Sequence, residues 1–175
     1  MSLRADEESR KFVVASLGSV AASGGYYIAS AADRIVANPG TLTGSIGVIM
    51  EFARFEELLG KIGVHSEVIT NSRGKFKDVG SPFRKMTAEE QALLKSMMDN
   101  VYEQFVAAIA DGREMDPSEI YPLADGRVFS GEQALDNGLV DEIGGFEHAI
   151  GVAADLAGIE GEPVRLYPRK DRPSV

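Results

Sequence analysis

The chain has 175 residues, 27 of them acidic against 18 basic, a formal net charge of -9, and no cysteine. The missing thiols exclude disulfide frameworks, thiolate metal sites and cysteine nucleophiles. The negative charge argues against nucleic acid or an anionic membrane surface as the main partner. The rest, 44% hydrophobic and 26% charged, is the composition of a folded globular domain. With only His65 and His148 available, a multi-histidine metal site is not expected. No apolar run approaches the roughly 20 residues of a membrane-spanning helix.

Residues 1–11 read as a linker: Met1-Ser2-Leu3 resembles an artificial junction, and the charged segment behind it runs into an apolar strand. Phe12–Leu17 is predicted as that strand, short and valine-containing. The stretch from Gly18 to Ala32 is dense in Gly, Ala and Ser, as a tight strand-to-helix turn requires, with a helix from about Gly24 to Asp33. Arg34–Ala37 is a second strand, closed by Asn38-Pro39-Gly40. Ile46–Met50 is a third apolar run, strand or loop-strand.

Phe55, Leu58, Leu59 and Ile62 fall at helical spacing and predict a helix over Arg54–Ile62, ended by Gly63. Val64–Ile69 alternates imperfectly as a strand, and 70–86 is a polar loop. The longest helix opens at Thr87 with a Thr87/Glu90 capping box. Its apolar stripe, Leu93, Met97, Val101, Phe105 and Ile109 with flanking residues, is wider than one core contact needs, and Gly112 is expected to end it. Asp116-Pro117 opens a short helix, Arg127–Phe129 is a short strand, and Ser130 with Gln133 caps a helix ending at Gly138. A helix from about Phe146 to Ala157 and a strand over Val164–Tyr167 complete a single domain, 12–167, before a tail at 168–175. The alternation predicts an α/β fold with a largely parallel sheet.

Ser23 stands out for chemistry. A serine between a strand and a helix start is placed to act as a nucleophile, with the Gly24 N–H able to meet a developing oxyanion. The plain alternative is an N-cap serine that catalyses nothing. A serine nucleophile needs a base. His65 lies on a predicted strand, and His148 on an exposed-looking helix beside Glu147. Lys75 and Lys77 lie in the loop Arg73-Gly74-Lys75-Phe76-Lys77-Asp78, where Phe76 can shield one of them. A lysine serves as base only when neutral, which calls for desolvation or a positive neighbourhood.

The order of several motifs resembles the bacterial signal peptide peptidase A (protease IV) family. They are Ala22-Ser23-Gly24-Gly25-Tyr26-Tyr27-Ile28, Ala32-Asp33-Arg34-Ile35-Val36-Ala37, Thr41-Leu42-Thr43-Gly44-Ser45-Ile46-Gly47-Val48, Gly74-Lys75-Phe76-Lys77-Asp78 with Ser81-Pro82, Ala124-Asp125-Gly126-Arg127-Val128-Phe129 and Gly138-Leu139-Val140-Asp141. The resemblance runs from about Phe12 to Ala157 and implies a serine protease with a Ser–Lys dyad on a ClpP/crotonase-like fold. It assigns Ser23 as nucleophile, Lys77 as general base, Ser45 as a residue orienting the lysine, and Gly24 as a backbone oxyanion donor. Lys75 becomes a bystander, and no metal or cofactor is implied. The implied substrates are apolar peptides such as released signal peptides. The implied assembly is a homo-oligomer of a membrane-anchored parent protein, its catalytic domain outside the cytoplasm. The family carries an anchor, further strands and a glycine-rich oxyanion turn before this point, so the chain is expected to be a partial peptidase domain. That places a sheet edge at Phe12–Leu17 and puts half of the oxyanion hole outside the chain. Two other readings compete: an inert family member acting as a peptide-binding or assembly module, and a crotonase-type enzyme acting on acyl-CoA, which gives Ser23 and Lys77 no purpose.

Overall fold

The computed structural model describes residues 11–167, so the expected tail and all but Lys11 of the expected linker lie outside the described residues. Two compact units emerge. The described residues up to Ile46 and from Ala107 onward form the first, and Gly47–Val106 form the second.

The first unit is built on two three-stranded sheets. In one, β1 (Val14–Leu17), β3 (Arg34–Ala37) and β6 (Glu142–Ile143) lie in the order β1-β3-β6, all parallel. In the other, β2 (Val20–Ala22) and β4 (Leu42–Gly44) are parallel, and β5 (Val128–Phe129) joins β4 antiparallel. The neighbours β1 and β3 therefore continue as the neighbours β2 and β4. Both chains turn from one sheet into the other side by side, β1 through Gly18-Ser19 and β3 through Asn38-Pro39-Gly40. The corner is stitched by polar groups that small residues bring within reach. Thr41 Oγ1 donates to the Gly18 carbonyl at 2.7 Å, Asn38 Nδ2 to that of Leu17 at 3.2 Å, and the Leu42 N–H to that of Ser19 at 2.9 Å. Thus the mixed α/β character and the parallel pairing are as expected. β2, β4 and β6 were not foreseen, being only two or three residues long and too short to show a period.

Helix α1 (Gly24–Ala29) packs on β2, α5 (Gly131–Asp136) lies against β4, β5 and β6, and α6 (Phe146–Leu156) covers β1 and β3. The core holds Tyr26, Ile35, Val36, Ile46, Ile109, Ile120 and Leu139, all without meaningful exposure. Each such side chain contributes about 1.5–3 kcal/mol by leaving water. The expected Ser130/Gln133 capping box forms, and Asp116 makes a further, unforeseen one with Glu119 at the start of α4 (Pro117–Ile120). A 3-10 turn, Tyr121–Leu123, follows α4.

The second unit holds α2 (Glu56–Lys61) and most of α3 (Ala88–Arg113), which continues into the first unit. The Thr87/Glu90 box forms, with the Glu90 N–H on Thr87 Oγ1 at 3.2 Å and the Thr87 N–H on Glu90 Oε2 at 2.8 Å. The stripe of α3 is covered over only part of its length: Phe105 and Ile109 are buried, whereas Leu93, Met97 and Val101 are each more than 40% exposed. On α2, Phe55, Leu58 and Ile62 also stay exposed.

Five expectations differ. Ile46–Met50 is no strand, because positive φ at Gly44 and Ser45 breaks the extended backbone just before it. Val64–Ile69 and Val164–Tyr167 join no ladder among the described residues, and β-type side chains alone make no strand without a neighbour. The helix expected over Gly24–Asp33 stops at Ala29. Gly112 does not end α3 but lies inside it, where a Cβ would come within 1.8 Å of the Ser30 carbonyl oxygen. Only glycine lets the helix approach the end of α1 so closely. Gly112→Ala gains about 1 kcal/mol of helix propensity but overpacks against fixed backbone at a cost of about 3 kcal/mol or more. A thermal melt should therefore show the variant about 5 °C less stable.

Candidate active site

Ser23 follows directly on β2, whose register pairs Ala22 with Gly44 on β4. Its N–H extends the ladder by one bond, to the Gly44 carbonyl at 2.8 Å, and its carbonyl accepts the Tyr27 N–H at 2.9 Å as α1 begins. Between these two bonds the backbone must reverse sharply, and Ser23 takes φ 52, ψ -117. A non-glycine residue held there costs about 1–3 kcal/mol, and such residues gather at active sites. The Ser23 hydroxyl makes no capping hydrogen bond to α1. Ser23 therefore occupies the N-cap position of α1 without a side-chain cap, and its side chain is exposed. Ser23 thus sits in a strained strand–turn–helix corner.

The turn is anchored from behind. Tyr26 is fully buried and its hydroxyl donates to the Leu139 carbonyl at 2.7 Å. Burial pushes the phenol well above its ordinary range, so it remains a donor. Leu139 leads to Asp141, whose carboxylate accepts the Ile35 N–H at 2.6 Å and a two-pronged Arg113 at 2.9 Å. Burial raises that carboxyl, but Arg113 and the Ile35 N–H lower it further, and the net shift is downward. The Gly138-Leu139-Val140-Asp141 motif thus ties α1, β3 and α3 together.

Ser45 leaves β4 beside Ser23. Thr43, fully buried, donates through Oγ1 to the Ala21 carbonyl at 2.7 Å and locks β4 to β2. Gly44 has φ 72, and a Cβ there would lie 2.5 Å from Phe129 Cδ2. Ser45 also has positive φ, 51, and its N–H reaches the Arg127 carbonyl at 2.8 Å. Asp125 and Gly126 complete this support, the former gripping the Arg127 guanidinium and the latter donating to the Ile46 carbonyl at 2.9 Å. Two strained serines therefore emerge from the C-terminal ends of adjacent parallel strands, where open α/β sheets place their chemistry.

Gly24, at the first position of α1, is exposed, and a Cβ built on it would meet nothing within 4 Å. Neither internal packing nor backbone angle demands glycine there.

Lys77 belongs to the second unit, on a run of tight turns. The Gly74 N–H bonds to the Asn71 carbonyl, that of Lys77 to Gly74, and that of Ser81 to Asp78, at 3.0, 2.9 and 3.0 Å. Of the two lysines that Phe76 was expected to be able to shield, it contacts Lys75, whose Nζ sits 4.6 Å above the ring and pairs with Glu89 at 2.5 Å while the side chain stays exposed. Among the described residues Lys77 makes no ion pair, and it is exposed. Its neighbour Asp78 is gripped by Arg84, which also binds Glu90. Arg84 and the Thr87 N–H hold the Glu90 carboxyl down to about 2. His148 is engaged by Glu142 at 2.7 Å, and His65 lies in the second unit. Among the described residues, no group of three or more His, Asp or Glu side chains is arranged to hold a metal ion.

Sequence reasoning missed Thr43, Phe129 and Arg84. Thr43 shows only as the middle of Thr-Leu-Thr-Gly-Ser; Arg84 carries no periodic signal at all.

Comparison with known proteins gives these features a lineage. Residues 5–160 match peptidase family S49. The chain belongs to that family. A Synechocystis sp. relative is 47% identical over 159 residues, 91% of this chain and 57% of that protein. Protease 4 of Salmonella typhi is 39% identical over 173 residues, 99% of this chain and 27% of its own. The chloroplastic serine protease SPPA of Arabidopsis thaliana is 41% identical over 166 residues, 94% and 24% respectively. The chain spans little more than half, or only about a quarter, of the length of these relatives. Among the described residues no helix is long and apolar enough to cross a membrane.

The depressed Glu90 carboxyl has a pH consequence. A folded pKa lowered to about 2 means that its stabilisation is complete above the ordinary glutamate value, about 4.3, and fades as the pH falls toward the folded value. Urea melts of wild type and Glu90→Gln should differ most at pH 7 and converge near pH 2. A constant difference across that range would show that the loss is one of packing.

Proposed function

We propose that this S49 domain is the catalytic part of a serine endopeptidase working through a Ser–Lys dyad on a ClpP/crotonase-like fold, with apolar peptides such as cleaved signal peptides as substrates. The observation that carries the reading is Ser23: strained, exposed, uncapped, and beside Ser45 at the ends of two parallel strands. In this mechanism neutral Lys77 removes the Ser23 hydroxyl proton as Oγ attacks the peptide carbonyl. The Gly24 N–H donates to the oxyanion. The ammonium of Lys77 then protonates the departing amine, and water, deprotonated by the same lysine, releases the acyl group and restores the serine. Ser45 orients the lysine by a hydrogen bond. Of the two candidate lysines, Lys75 is paired with Glu89, whereas Lys77 makes no ion pair among the described residues.

A lysine base must be neutral, and Lys77 is exposed here, so the reading requires a cover over it when the enzyme works. Substrate, a neighbouring copy, or segments present in the longer relatives would supply that cover. The unpartnered apolar residues of α2 and α3 support assembly into a homo-oligomer, which sedimentation of the purified chain checks. We further infer that the parent protein is attached to the cytoplasmic membrane with this domain outside the cytoplasm, and that a second oxyanion donor comes from an upstream turn. Protease treatment of intact cells tests the first point.

The decisive measurement is intact mass after exposure to a fluorophosphonate. Wild type and Lys75→Ala should gain one adduct readily, Lys77→Ala should gain it only at a far slower, still measurable rate, and Ser23→Ala should gain none. Silence of wild type, both in this chain and in one extended upstream, would replace the peptidase with a peptide-binding module. Gly24→Ala adds a contrast: its stability should hold or rise by up to about 1 kcal/mol, because its Cβ meets nothing. Its labelling should nonetheless slow markedly, since the new methyl sits beside the oxyanion donor.

A further inference from the structure

We propose that Arg84 is a positioning residue for Lys77, clamping the loop that carries the lysine onto the first turn of α3. The inference rests on the Ser–Lys reading above. The loop Asn71–Ser81 has little burial of its own, and its turns are closed by local backbone bonds that do not fix it in space. Two ties bind it to consecutive glutamates of α3. One, Lys75 to Glu89, joins side chains that are both more than 60% exposed and holds little.

The other tie is of a different kind. The Arg84 guanidinium places Nε and Nη2 on the two carboxylate oxygens of Asp78, each at 2.8 Å. It places Nη1 and Nη2 on those of Glu90, at 2.9 and 2.5 Å. Glu90 is nearly inaccessible and is itself fixed by the Thr87 N–H, so this end of the clamp is part of the helix cap. Asp78 is the residue after Lys77. Fixing its side chain, with its carbonyl held by the Ser81 N–H, fixes the peptide from which Lys77 projects.

The clamp also acts electrostatically. A free carboxylate next to Lys77 would draw the ammonium and favour the protonated form, the wrong state for a base. Arg84 occupies both oxygens of Asp78 and removes that competitor. A lysine at position 84 could not do the same, because a point charge lacks the planar fork that serves two carboxylates at once.

The test compares wild type, Arg84→Gln, Arg84→Lys, Lys77→Ala and the Arg84→Gln/Lys77→Ala double variant as full chains. Three quantities are read: the rate of fluorophosphonate labelling at Ser23, amide exchange over residues 74–81, and the thermal melt. Arg84→Gln should exchange about tenfold faster in the loop and label about 10- to 100-fold more slowly. Arg84→Lys should recover only part of the rate. The double variant should label no more slowly than Lys77→Ala, because Arg84 acts only through Lys77; a general loss of structure would add to the Lys77 effect instead. Additive losses, or unchanged loop exchange in Arg84→Gln, would overturn the proposal. Should Arg84→Gln fail to fold, Asp78→Asn cuts the clamp at its loop end and carries the same readouts. A Lys77-dependent rate untouched by Arg84→Gln sinks the clamp alone. Equal rates in wild type and Lys77→Ala, or no labelling of wild type, sink the dyad and with it this role for the clamp.

Discussion

The hydrogen bond from the Ser23 N–H to the Gly44 carbonyl is the point on which the site depends. It extends the β2–β4 ladder one residue beyond the last strand pair and so holds Ser23 in strand register while its own carbonyl already belongs to α1. No relaxed backbone satisfies both demands, and the positive φ of Ser23 is the result. The strain persists because the surroundings over-determine it. Thr43 locks the two strands, Tyr26 anchors the helix to Leu139, and Gly44 gives way to Phe129.

Charge is handled by the same economy of arginines. Arg113 neutralises Asp141 behind the serine turn, and Arg84 neutralises Asp78 and Glu90 behind the lysine loop. Arg84 is shared between a loop acid and a helix acid, whereas Arg113 joins α3 to Asp141 and the Gly138 carbonyl of one loop. Arg84 occupies both oxygens of Asp78, the acid next to Lys77 in the chain. In a chain of net charge -9 this matters, since unpaired acids near a base would oppose its neutral form.

Much of this was readable from the residues. The strand Arg34–Ala37 appears with the expected bounds, the long helix starts after Thr87, and the Thr87/Glu90 and Ser130/Gln133 boxes form as spaced. These features are local: a capping box or an apolar run carries its own cause within a few residues. The short strands β2, β4 and β6 were not readable, because each exists only through its neighbour. The reverse error at Val64–Ile69 has the same origin, a strand-like pattern with no partner among the described residues. Which lysine Phe76 contacts was likewise undecidable from adjacency, since both flank the ring; it is Lys75.

What the sequence by itself determined is the chemistry on offer: a serine in a small-residue turn, two loop lysines, no thiol, and motifs in the order of a peptidase lineage. Whether Ser23 was a cap or a free hydroxyl was decided only by the tertiary structure. The choice depends on a backbone angle, and that angle is set by a bond to Gly44, a residue distant in sequence and brought alongside by the parallel pairing of β2 with β4.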